Sequence, residues 1–385
     1  MVTALTTGSV TTAQLPTDRQ VLDMADKIYL LEPNAAPLYV LVSKLNKRVA
    51  INPSFHWLED ELIPTWGTTG ATATSSMEVL TATAGEELYF AVGDVIKVVE
   101  SNENMLVTAV SDTDNTITCT RSFGTVAQSA ISNGAYLMKI GTAFAEGSTA
   151  GALSTKGTIV TELTNYTQIF RKSVEISRSM ANSELYGGAD RPYQRKKKGI
   201  ELMKELERTF YFGDYVSGTT RGTAGIDYFL STNDTAAGGT LTESEFETFL
   251  RKVFRYGSNS RYLFSAPLVL SVISLWAQGK LQMFPKDKTY GIAITQYLSP
   301  HGTLNLIKDV VLEYVSITNT SYYGGYAYAI ELEDCVYRYL QNRDVQLETD
   351  IQNPGDDSYK DQYICEVGME FHNEKKHGCL TGVTG

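Results

Sequence analysis

The 385-residue sequence has little of what most catalytic and metal chemistry requires, with 4 cysteines, 4 histidines and 3 tryptophans. Cys119, Cys335, Cys365 and Cys379 follow no framework spacing, which argues against a disulfide-stapled scaffold and fits unpaired thiols in a reducing compartment. No apolar run approaches the ~20 residues that span a bilayer, so no membrane partner is expected. The opening MVTALTTGSVTTAQLPTD lacks the basic and apolar blocks of a signal peptide. A basic excess is also missing. The chain has 33 Lys and Arg against 44 Asp and Glu, a formal charge of −11, so any contact with nucleic acid must be local. There is no G-x-S-x-G, H-E-x-x-H, Walker loop or Rossmann fingerprint, and neither an enzymatic activity nor a cofactor is expected.

The residues nearest to a chemical site read as structural. His372, His377 and Cys379 match no zinc spacing, and His56 and His301 are isolated. The run Glu59, Asp60, Glu61 has no basic or metal-binding companion nearby in sequence, which makes it a solvated loop or an ion-pair partner for another subunit. Asp112 and Asp114 lack the later Gly and Glu of a calcium loop and are assigned to a hairpin turn.

The chain is instead rich in glycine (31), tyrosine (23), threonine, valine and isoleucine, a composition that favours strands. A capping box at Thr17 and Gln20 predicts a helix ending near Leu31, and a second helical piece follows from Pro37 to Leu45. Residues 65–84 and 141–158 are dominated by Gly, Ala, Ser and Thr. They flank four or five short strands between 85 and 140, separated by Gly-Asp and Asn-Gly turn signals, which predicts a small β-barrel at the far end of a long loop. A strand over 164–177 returns from it.

Residues 187–214 then predict the longest regular element. Pro192 suits a first helical turn, and Gly213 is placed to stop it. Ile200, Met203, Leu206 and Phe210 form the expected apolar stripe. Arg191, Arg195, Lys196, Lys197 and Lys198 form the one dense basic cluster, suited to nucleic acid or to acidic loops such as Glu59–Glu61 of a neighbouring copy. Beyond it, Thr242 and Glu245 make a capping box with Leu241 and Phe246 as staple, and a strand at 262–264 precedes a helix opened by Pro267 and closed by Gly279. Strands are expected at 310–317, 326–332, 336–340 and 345–351. A last long strand alternates Tyr363, Cys365, Val367, Met369 and Phe371 against a mostly polar face, with the long helix as partner of the apolar side.

This order of arm, extended loop, long helix, strand-helix domain and terminal strands resembles the tailed-bacteriophage major capsid proteins of the HK97-like fold, in the branch with a β domain inserted in the extended loop. The phrases LEPNAAP (31–37), FHWLED (55–60), VGDVI (92–96) and TRSFGT (120–125) carry the likeness, together with 165–177 and 201–213. The resemblance implies an α+β fold with an N-terminal arm (1–46), an extended loop (47–84 and 141–177) and an inserted β-barrel (85–140). It further implies a spine helix (178–221), an axial domain (222–305) and peripheral strands with the C-terminus (306–385). It implies copies that assemble as hexamers and pentamers into an icosahedral virion head in the host bacterial cytoplasm. That head would enclose double-stranded DNA with weak non-specific contact, alongside portal and scaffolding or decoration proteins. Cleavage of a long scaffolding segment and crosslinking through Lys156 are not expected. A protein nanocompartment shell of the same fold, and a β-rich surface binding protein, remain the alternatives.

Overall fold

The computed structural model describes residues 36–148, 156–184, 188–276, 295–313 and 323–384. The helix expected near Thr17 to Leu31 and the Gly279 stop lie outside them. The chain divides into two compact units, one of Met1–Trp57 with Leu163–Gly385, the other of Leu58–Glu162. Strands β2 (Ser54–Glu59) and β9 (Thr161–Tyr166) pair with each other where the chain leaves the first unit and re-enters it.

In the first unit the described helices are α1 (Pro37–Leu45), α2 (Arg178–Ala181), α3 (Asp190–Phe212), α4 (Ile226–Phe229), α5 (Glu243–Val253) and α6 (Pro267–Trp276). One sheet has β1 (Lys47–Ala50), β16 (Cys335–Leu340), β18 (Ser358–Phe371) and β10 (Gln168–Ser177) in that order, with β17 (Gln346–Glu348) also on β18. Cys365, Val367, Met369 and Phe371 of β18 pack with Leu202, Leu206 and Phe210 of α3 and with Leu38, Leu41 and Val42 of α1, as the alternation predicts.

The second sheet runs β11 (Asp234–Thr240), β19 (Gly378–Thr384), β15 (Ala327–Ile330), β12 (Ser260–Ser265), β14 (Gly302–Lys308) and β13 (Thr295–Ser299). Its central strands are buried on both faces. Phe264, Ile307, Tyr328 and Ile330 join the core beneath α3, while Leu263, Leu304, Leu306, Ala327, Ala329 and Leu380 meet Phe246, Phe249 and Leu250 of α5 and Val269 and Ile273 of α6. Strands covered on both sides read as continuous apolar runs, which is why 262–264 was legible without alternation. Two boundaries differ from the expectation. The strand expected at 310–317 is not formed over 310–313, which bend and turn after β14, and 314–317 is outside the described residues. The 305/306 boundary cuts β14, and β15 and β19 from the C-terminal third complete the sheet.

The smaller unit holds β3 (Trp66–Thr68), β4 (Val79–Thr81), β5 (Asp94–Val98), β6 (Asn104–Ser111), β7 (Thr116–Thr120) and β8 (Tyr136–Thr142), in the order β3-β8-β5-β6-β7-β4. A bridge between Thr69 and Ala82, with Gly70 N–H donating to Thr81 O at 2.9 Å and Thr83 N–H to Thr68 O at 2.9 Å, joins the two outer strands and closes the ring. The unit thus extends past 85–140 and takes strands from the Thr- and Ala-rich flank. That flank supplies few large inward side chains, chiefly Leu80, so its composition hides two strands.

Candidate functional site

Helix α3 starts without a side-chain cap at Ala189, carries Asp190 in its first turn, and ends at Gly213 with φ −62°. A Cβ on Gly213 would lie 2.3 Å from Thr223 O and 2.5 Å from Thr209 O, so close backbone approach, not a left-handed turn, requires glycine there. Its buried side chains are Leu202, Leu206, Glu207, Phe210 and Tyr211, while Met203 is 41 % exposed. The buried face is therefore turned from the expected one, because a carboxylate and a phenol point inward.

Arg191 and Arg195, expected at an intersubunit or inner surface, pair with β18 of their own chain. Arg191 donates from Nη2 to Asp361 Oδ1 at 2.6 Å and from Nε to Asp361 Oδ2 at 2.8 Å, and Nη2 also reaches Asp350 Oδ1 at 2.6 Å. Arg195 Nε donates to Asp361 Oδ2 at 2.7 Å. The Arg191 hydrogen bonds, with those of Arg195 and Asp350 N–H, hold the Asp361 carboxyl well below the usual carboxylate range despite burial. Lys198 pairs with Glu201 at 2.6 Å. Lys196 and Lys197 are exposed and hold no ion pair among the described residues. Glu59, Asp60 and Glu61 belong to the chain around the other unit, where Asp60 accepts from Glu61 N–H at 2.9 Å.

The polar face of β18 is not solvated. Glu366 and Glu370 are each 2 % exposed. Glu366 accepts from Arg221 Nη2 at 2.7 Å and from Thr167 Oγ1 at 3.1 Å, and pairs with Arg343 at 3.2 Å. Glu370 binds Arg338 and lies 2.6 Å from His372 Nε2. Burial raises the Glu370 carboxyl, but hydrogen bonds from His372 and Arg338 outweigh it and leave it lowered. Alternation alone assigns such carboxylates to water. Their arginines come from positions 221, 338 and 343, and pairing across that distance leaves no sequence signal.

A second buried carboxyl group sits on the core side of α3. Glu207 accepts Leu38 N–H at 2.9 Å and Tyr39 N–H at 2.8 Å, capping the N-terminus of α1 in place of a local side chain. The charge of Asp309 acts on it, and Asp309 itself accepts Tyr211 Oη–H at 2.8 Å and Val311 N–H at 2.8 Å. Burial, then the Asp309 charge, pushes the Glu207 carboxyl well above its usual range.

The expectation of structural histidines and thiols can be followed residue by residue. His377 accepts Glu331 N–H at Nδ1 (3.1 Å) and donates from Nε2 to His372 O (3.0 Å), and burial pushes it down to about 4, so it is neutral at physiological pH. All four cysteines are buried and free. Among the described residues no group of His, Cys, Asp or Glu is arranged to hold a metal, and no helix is long and apolar enough to cross a membrane. Glu366, Glu370 and Glu207 are hydrogen-bonded within the fold, and the arrangement organises packing between elements.

The family model described as SU10 major capsid protein matches residues 5–384. No curated protein matches the chain. Among solved structures, one from Mycobacterium phage Bobi is similar at a TM-score of 0.53 and 7 % identity, covering 98 % of this chain and 100 % of that one. The capsid of a native GTA particle is similar at 0.50 and 10 % identity, covering 98 % and 99 %. At these identities the likeness is one of fold.

Proposed function

The chain belongs to the SU10 major capsid protein family, and from that premise we propose that its copies assemble as hexamers and pentamers into an icosahedral head enclosing double-stranded DNA. It is a phage major capsid protein with an HK97-like α+β fold, and its role is to build a multimeric shell. The observation that carries this reading is a family match spanning nearly the whole chain, with the fold's long helix and terminal strand forming one core.

In the proposed shell, residues 1–46 are the arm. Residues 47–177 are the extended loop lying over a neighbour, with its inserted β unit on the outer surface. Residues 178–221 are the spine, and the sheet around β12 and β14 belongs to the axial domain at the five- and six-fold positions. Exposed apolar side chains support burial by neighbours: Leu62 is 94 %, Ile159 91 % and Ile51 83 % exposed in the single chain. Lys196 and Lys197, which hold no ion pair among the described residues, meet a neighbouring copy's acidic loop, such as Glu59–Glu61, or the inner surface. Portal, scaffolding or decoration proteins complete the particle, which assembles in the host cytoplasm.

Sedimentation and negative-stain microscopy of the purified protein test assembly: closed shells are expected, and a monodisperse monomer under all conditions overturns the reading. Nuclease-protected DNA in particles from infected cells tests the cargo. Charge reversal at Lys196, Lys197 and Lys198 should lower particle yield or genome retention, and normal filled particles would remove the cluster from the mechanism.

A further inference from the structure

We propose that Glu207 and Asp309 share a single proton, and that this proton latches the arm helix α1 onto the long helix α3. The geometry comes first. Glu207 is fully buried, and both its oxygens are aimed at the first free amides of α1, those of Leu38 and Tyr39. An α-helix leaves its first amides without internal partners, and the positive end of its dipole favours a carboxylate there. Pro37 at the start of α1 has no N–H to satisfy, so Glu207 takes the next two.

Asp309, also fully buried, follows β14 and accepts from Tyr211, which lies one turn beyond Glu207 on the same face of α3. The titratable groups facing the pair are Tyr211 from α3, which donates to Asp309, and beyond it Tyr328 from β15, stacked on Tyr211 with ring centroids 5.0 Å apart. Asp227 of α4 lies on the far side of Tyr328, 3.5 Å from its hydroxyl. Among the described residues no Lys, Arg or His pairs with either carboxyl. Two buried carboxyls on one site, with no cation beside them among the described residues, strongly disfavour double ionisation, and one proton between them satisfies both. The upward shift of both groups agrees with this.

The sign follows from linkage. A carboxyl whose folded pKa is raised contributes stability that is complete below its unfolded value and is lost as pH rises through its folded value. Loss of the proton therefore places two like charges at the α1 contact and releases α1. The phenols of Tyr211 and Tyr328 are themselves held above their ordinary range and stay neutral through that step.

Hydrogen-exchange mass spectrometry on the full chain tests the latch at α1, with rates corrected for the intrinsic pH dependence of exchange. Protection over residues 38–45 should fall about tenfold for each pH unit between the latch's unfolded and folded pKa values, and level off above the folded one. In Asp309→Asn the amide still donates to Glu207 and still accepts from Tyr211, so α1 should stay protected at high pH. A flat wild-type profile, or the same loss in Asp309→Asn, overturns the proposal. Infrared spectroscopy of the wild-type protein provides a readout that needs no variant. The carbonyl stretch of a protonated buried carboxylic acid should be present at neutral pH and disappear together with α1 protection; its absence at neutral pH overturns the proposal.

Discussion

Arg121 is the side chain on which the loops of the smaller unit converge. It donates to Glu103 from Nε and Nη2, both at 2.7 Å, and to the carbonyls of Met77 at 2.9 Å and Ser129 at 2.6 Å. Glu103 in turn accepts Ser122 N–H at 3.0 Å and Ser129 N–H at 3.2 Å. Both side chains are buried, so Arg121→Met strands the Glu103 charge and the Met77 and Ser129 carbonyls, and should cost about 3–5 kcal/mol in urea unfolding of this unit. His377 makes a pH prediction of its own. Its folded value of about 4 lies below the unfolded 6.5, so it contributes stability above the unfolded value that is lost as pH falls from there toward 4, on the order of 3 kcal/mol. His377→Phe should be less stable at neutral pH, since Glu331 N–H and His372 O lose their partner, and the slope of unfolding free energy across that acid window should flatten. An unchanged slope would assign the acid sensitivity to carboxylates such as Asp361, whose lowered pKa works in the same direction at lower pH.

At the scale of elements, α3 ends where two backbones meet. Gly213→Ala puts a methyl group against two carbonyl oxygens, and should destabilise the first unit by about 1–3 kcal/mol in thermal or chemical unfolding, whereas alanine at Gly188, with open space around it, costs only the strain of its φ of +88°. The contrast shows what was legible in the sequence. Gly213 marks the helix end correctly, but from sequence it stands for a turn, and the reason for it, the approach of Thr223, comes from residues ten positions on. The capping box at Thr242 and Glu245 was fully legible because both partners are local: Glu245 N–H donates to Thr242 Oγ1 at 3.3 Å and Thr242 N–H to Glu245 Oε2 at 2.9 Å. The apolar face of β18 was legible from its period of two. Its buried polar face was not, nor was Glu207, since pattern reading assigns a carboxylate to solvent and only long-range partners reverse that. The short strands β3 and β4 escaped for the opposite reason, being too poor in apolar residues to stand out.

Charge is distributed unevenly over the whole molecule. Between Leu58 and Glu162 there are 13 acidic and 4 basic side chains, so this unit carries −9 of the chain's −11. Two of its four cations are already committed, Arg121 to Glu103 and Lys139 to Asp94 at 2.7 Å. A shell built from many copies repeats this unit many times, and the copies repel one another through solvent over a distance set by the Debye length, about 30 Å at 0.01 M ionic strength and about 8 Å at 0.15 M. Opposing this, the intersubunit contact proposed for Lys196 and Lys197 on α3 would supply attraction to acidic neighbours that salt also screens. The two effects predict opposite salt dependence, and the excess of carboxylates decides in favour of repulsion. Assembly of dissociated subunits, followed by light scattering, should therefore accelerate about tenfold or more between those two ionic strengths. Neutralising exposed carboxylates of the unit, as in Glu78→Gln with Glu100→Gln and Asp112→Asn, should move the same acceleration to lower salt. Assembly that slows as salt is added would instead make pairing at Lys196 and Lys197 the dominant electrostatic contact, and charge reversal there would then abolish the salt dependence.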